Sequence, residues 1–160
     1  MSRMLVGKIH LVAALFSFTL ISAFWMSTVV SELFLAPAAV AVVKQAILWG
    51  MMLLVPAMIA VGGTGFRLGG KSTAPVIARK RRRMPVIALN GLLVLVPSTF
   101  FLATRAGAGQ FDRVFYLVQG IELVAGATNL ALMGLNIRDG FAMTRKRRRG
   151  QSFSRSAAVA

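Results

Sequence analysis

A chain of 160 residues that is 57% hydrophobic and only 14% charged, with a mean hydropathy of +0.74, is too apolar for a soluble domain of its length. No Cys, one His and four acids exclude disulfide frameworks, thiolate metal sites and thiol catalysis, and leave little material for a protein-only metal centre, a carboxylate pair or a Ser-His-Asp arrangement. The formal charge of +15 looks like a nucleic-acid signature until the basic residues are placed along the chain.

Four apolar segments, at about 8–31, 38–62, 84–104 and 113–137, each supply the ~20 residues that cross a ~30 Å hydrocarbon core as a helix. The first is longer than the 7–15 apolar residues typical of a signal peptide, and Ala36-Pro37-Ala38 is a poor cleavage site, so it reads as an anchored helix. His10 begins it. As a haem ligand His10 would need an axial partner such as Met4 or Met84; the plainer reading is a solvated polar end. Trp25, Trp49 and Tyr116 suit aromatic belts.

The second segment opens on Pro37, which a first helical turn tolerates, and Gly62-Gly63-Thr64-Gly65 reads as its stop. Pro56 inside it frees the carbonyl of Met52. Pro85 lies in the first turn of the third segment, and Pro97 lies inside it. Kinks are expected at Pro56 and Pro97. Ala106-Gly107-Ala108-Gly109 forms the short turn to the fourth segment. Residues 1–140 form one transmembrane domain, and 141–160 read as a basic tail without ordered structure.

Apart from Lys44, Arg105 and Arg113, all 19 basic residues flank one side of the spans. The positive-inside rule puts both termini and the middle loop in the cytoplasm. Two clusters, Arg79, Lys80, Arg81, Arg82, Arg83 and Arg145, Lys146, Arg147, Arg148, Arg149, then lie against the cytoplasmic leaflet. Anionic headgroups attract each such residue by ~1 kcal/mol, which accounts for the charge. Nucleic acid is not expected, because both clusters lack stacking aromatics or a groove-reading fold.

The fourth segment carries a polar stripe at heptad spacing: Asp112, Gln119, Glu122, Gly126, Asn129 and Asn136, with Phe115 and Met133 filling the series. These positions share one narrow helical face. A carboxylate and amides at membrane depth must face protein, water or a ligand. Counted from Val114 at 1.5 Å per residue, Glu122 lies ~12 Å below the outer surface. Asn90 and Asn129 both fall ~8 Å above the inner surface and can meet as an amide pair worth ~0.6–2 kcal/mol. Glu122 has several possible partners: Ser22, Gln119, the Met52 carbonyl or Lys44. The position of Lys44 suits snorkelling to the outer interface better. Glu122 is either a hydrogen-bonded structural acid or a proton- or cation-responsive site.

The stretches Arg83-Met84-Pro85-Val86-Ile87-Ala88-Leu89-Asn90-Gly91, Glu122-Leu123-Val124-Ala125-Gly126-Ala127-Thr128-Asn129-Leu130 and Gly134-Leu135-Asn136-Ile137-Arg138-Asp139-Gly140 resemble a family of uncharacterised bacterial inner-membrane proteins with four helices. The resemblance covers nearly the whole chain outside the tail. It implies an inner-membrane location and attaches no activity, ligand or catalytic residue. Small multidrug transporters also combine four helices with one buried Glu, but on their first helix, where this chain has no acid before Glu32.

The expectation is an all-α, up-down-up-down bundle of four transmembrane helices. Few reactive side chains point to a non-enzymatic accessory, assembly or lipid-interacting subunit, with no cofactor. One alternative is a proton- or cation-coupled transporter built as a homodimer around Glu122, with Gln119 and Asn129 lining the path. The other is a haem- or quinone-binding protein. A homodimer or larger membrane complex is compatible with each.

Overall fold

The computed structural model describes residues 2–70 and 75–157, with side chains through Met143. Helix α1 (Arg3–Phe34) starts at Ser2, whose hydroxyl accepts from the Leu5 amide at 3.3 Å. Helix α2 (Pro37–Gly69) begins on its proline. Helix α3 (Pro75–Asn90), a π-helical turn (Gly91–Leu95) and α4 (Val96–Gly107) run on as one rod, and α5 (Arg113–Ala157) follows. Four spans, Arg3–Phe34, Pro37–Gly69, Pro75–Gly107 and Arg113–Met143, are long and apolar enough to cross a membrane. Their 31–33 residues make rods of roughly 47–50 Å, so each overshoots the hydrocarbon core.

Several expectations change here. Gly62-Gly63-Thr64-Gly65 does not end α2. The helix continues to Gly69 and stops at Gly70, which adopts φ +43°. A glycine costs a helix only ~1 kcal/mol, and Thr64 fastens this stretch by donating to the Ala60 carbonyl and pairing with His10. Helix α2 passes through Pro56 without interruption. At Pro97, which has no amide to give Leu93, the third rod shifts register: the Val96 amide bonds to Gly91 in a π turn. Beyond residue 140 the backbone stays helical to Ala157, where the sequence suggests an unstructured tail. Lys, Arg and Gln are good helix formers, and no proline interrupts them.

The helices close a ring in chain order: α2 packs along α1 and α4, and α5 packs on α1, α3 and α4. Ile21, Leu54, Ile87 and Met133 form one apolar cluster, and Val40, Leu102, Ala106 and Phe115 form another. Around them the pattern of a soluble protein is inverted. Lys44, Thr28, Ser31, Thr99, Gln119 and Asn129 are buried, whereas Leu33, Val42, Ile59 and Val124 are more than two-thirds exposed. Such a surface is a liability in water and an ordinary one in lipid, where small and polar side chains belong between helices.

The α4–α5 joint is built as its sequence suggests. Gly109 takes φ +68°, and the Gln110 amide bonds the Arg105 carbonyl at 2.9 Å. Asp112 then caps α5, accepting from the Phe115 amide at 2.9 Å and from Arg105. That amide, aided by the Arg105 charge, holds the Asp112 carboxyl below the usual carboxylate range. A depressed acid contributes stability that is present above its unfolded pKa and lost as pH falls through the folded one. Thermal melts in detergent should therefore show a fall in melting temperature below about pH 4 that is smaller in Asp112→Asn. An equal fall in both proteins would remove Asp112 as its cause.

Candidate functional site

The centre of the stripe is an ion pair. Lys44 on α2 is 1% exposed, and its ammonium lies 2.7 Å from Glu122 Oε2 on α5. It also donates to Thr28 Oγ1 on α1 at 3.4 Å. Gln119 Nε2 donates to the same Glu122 oxygen at 3.2 Å, and the Thr99 hydroxyl lies 3.2 Å from Oε1. Three helices thus meet on one carboxylate, and α1 joins them through Lys44. Beside it is a cavity of about 50 Å³ between Thr28, Thr99, Glu122, Trp25 and apolar neighbours, room for only one or two waters.

This corrects the expected snorkelling of Lys44. Helix α2 begins at Pro37, as its sequence suggests, and Lys44 is seven residues, ~10 Å, into the helix. Glu122 is nine residues, ~14 Å, into α5, and a lysine side chain spans the difference. Two other proposed partners are absent. Ser22 donates to the Phe18 carbonyl of its own helix at 2.8 Å. The hydrogen bonds of Glu122 among the described residues come from Lys44, Thr99 and Gln119, not from an acid proton given to the Met52 carbonyl. Thr99 escaped the sequence reading, although the same depth count finds it: it lies ~21 Å above the entry at Pro85, close to the ~18 Å of Glu122.

Two turns further along α5 the amides meet. Asn90 Nδ2 donates at 2.9 Å to both Asn129 Oδ1 and the Ala125 carbonyl, and Asn129 Nδ2 returns to the Ile87 carbonyl at 3.4 Å. Asn129 is 2% exposed, so the pair joins α3 to α5 inside the bundle. Trp25 is not a belt residue. It is half-buried, its indole N–H donates to the Leu123 carbonyl at 3.0 Å, and Gly126 leaves the space for its ring. Trp49 and Tyr116 are exposed.

At the basic end a second acid organises the arginines. Asp139, 7% exposed, holds Arg83 at 2.9 Å and Arg79 at 3.8 Å, with Arg138 at 4.0 Å. Asn136 accepts from Arg83 at 3.3 Å. Sequence reasoning passed over Asp139; its signal was a lone acid among arginines at the end of the polar stripe. Arg81 donates to the Gly70 carbonyl at 2.6 Å, Arg82 is exposed and Lys80 half-buried. The side chains of Arg145, Lys146, Arg147, Arg148 and Arg149 lie outside the described residues. The residues weighed for a haem lie as follows. His10 Nδ1 is 3.0 Å from Thr64 Oγ1 and the ring lies against Gly65. The Met84 sulfur accepts from Asn136 at 3.7 Å, and Met4 is 74% exposed.

Four apolar spans around a polar, hydrogen-bonded interior define a small multi-pass membrane protein. No protein family, curated protein or solved structure matches the chain.

Proposed function

We propose that the protein is a non-enzymatic subunit of a bacterial inner membrane, serving assembly or lipid interaction, with its basic end in the cytoplasm. The observation that carries this reading is that Glu122, the acid at membrane depth that a transporter would use, is already held by Lys44, Gln119 and Thr99. The distribution of basic residues supports the orientation, and the resemblance of the Asn90, Glu122 and Asn136 stretches supports the location. Arg79, Arg81 and Arg82 are exposed at the basic end and suit anionic headgroups.

Proteoliposomes test it against the transport alternative. With a pH-sensitive dye inside and an imposed membrane potential, the protein should give no proton, Na⁺ or K⁺ flux above that of empty vesicles. Flux that disappears in Glu122→Gln would replace this reading with a coupled transporter.

A further inference from the structure

Lys44 has a second acid within electrostatic reach. Glu32 ends the last full turn of α1, one turn beyond Thr28, whose hydroxyl accepts from the Lys44 ammonium. Residues four apart share a helix face, so Glu32 stands directly beyond that contact, and it feels the charges of both Lys44 and Glu122. Its Oε1 is buried and has no hydrogen-bond partner. Gln119, 4% exposed, gives its amide hydrogen to Glu122 and leaves its own Oε1 buried and unpartnered.

Two buried acceptor oxygens around the ion pair are therefore unpartnered. With both acids ionised the cluster carries two negative charges against one ammonium, in surroundings that penalise an uncompensated charge. One added proton removes the excess charge and supplies an O–H donor of the kind the orphaned oxygens lack. The other elements offer no substitute. From α2 comes only Lys44 and from α5 only Glu122, while α4 presents Thr99 at this level and its Arg105 is bound to Asp112.

We propose that the Glu32 carboxyl is a proton-binding site at the end of the bundle opposite the basic loop, and that its proton decides whether Lys44 serves Glu122 alone or is shared between two carboxylates. The proton comes from water at that end and forms the O–H bond of the Glu32 acid. Its loss draws the ammonium toward Glu32 and loosens the contacts with Glu122 and Thr28. Trp25 reports the change, because it lines the same cavity as Glu122 and is bonded to the carbonyl of Leu123. The proposal goes beyond the subunit reading, since a bundle with or without ion flux can hold such a proton.

The test uses the full chain in nanodiscs of zwitterionic lipid, with Trp49→Phe leaving Trp25 as the sole emitter. Between about pH 4 and pH 9, Trp25 emission should follow a one-proton curve that persists in Asp112→Asn and is lost in Glu32→Gln. Infrared difference spectra of wild type and Asp112→Asn, which carry the native Glu32, should show one protonated carboxyl band vanishing as pH rises. An emission curve unchanged by Glu32→Gln overturns the proposal, as does the absence of that band. The same emission change produced at fixed pH by Na⁺ or K⁺ also overturns it, in favour of a metal-cation site.

Discussion

Replacing Lys44 by methionine should destabilise the bundle by about 3–5 kcal/mol, the cost of breaking a buried pair and leaving one charge uncompensated. The size follows from where the pair sits. Lys44 is 1% exposed and Glu122 12% exposed, and the adjoining cavity is walled mainly by Ile21, Phe24, Ile47, Leu54 and Leu95, so the one or two waters it can hold do not replace an ammonium. Gln119 gives the carboxylate one hydrogen bond, worth about 1.5–3 kcal/mol, and the single Thr99 hydrogen is shared with the nearer Leu95 carbonyl, so neither brings a charge to replace the ammonium. The double variant Lys44→Met with Glu122→Leu removes both charges and should recover most of the loss, because apolar replacements of a buried pair are often neutral or better. Equilibrium unfolding in mixed micelles, followed by helical circular dichroism, measures both variants. A loss below about 1 kcal/mol for the single change would mean that Lys44 behaves as an exposed ion-pair partner and turns to the interface in solution.

What could be read from the sequence divides along a physical line. The four spans were legible because length and apolar content alone decide them, and the Asn90–Asn129 contact because depth along two rigid helices is simple arithmetic at 1.5 Å per residue. Depth counting was less decisive for Lys44. Seven residues into α2, a long side chain reaches either the interface or an inward acid, and only the packing of α2 against its neighbours selects Glu122. Glycine was misleading in the other direction. Gly62-Gly63-Thr64-Gly65 has the composition of a stop, yet Gly65 lies inside α2 because His10 packs against it, a tertiary contact that local propensity does not contain. The role of Asp139 likewise depends on which helix is the neighbour, and periodicity within one segment does not say.

The same limit applies to Gly126, whose place on the polar stripe marked it only as small. The structure makes its size the point. A Cβ there would lie 2.9 Å from Cδ1 of Trp25, inside van der Waals contact. A flexible side chain would move aside, but this indole is pinned by its hydrogen bond to the Leu123 carbonyl, three residues earlier on the same helix. Gly126→Ala must therefore either strain the α1–α5 contact or break that bond, a cost of about 1–3 kcal/mol for overpacking, despite the better helix propensity of alanine. Gly120→Ala, on the same helix with nothing within 4 Å of its Cβ, should be neutral or slightly stabilising. Trp25→Phe removes the pinned indole, so in that background the cost of Gly126→Ala should shrink, and a double-mutant cycle isolates the coupling. If Gly120→Ala costs as much as Gly126→Ala, or if the cycle shows no coupling, then the cost comes from the glycine backbone itself. If the coupling appears, Gly126 is a packing residue that sets how closely α5 approaches α1, and hence how tightly the cavity beside Glu122 is closed.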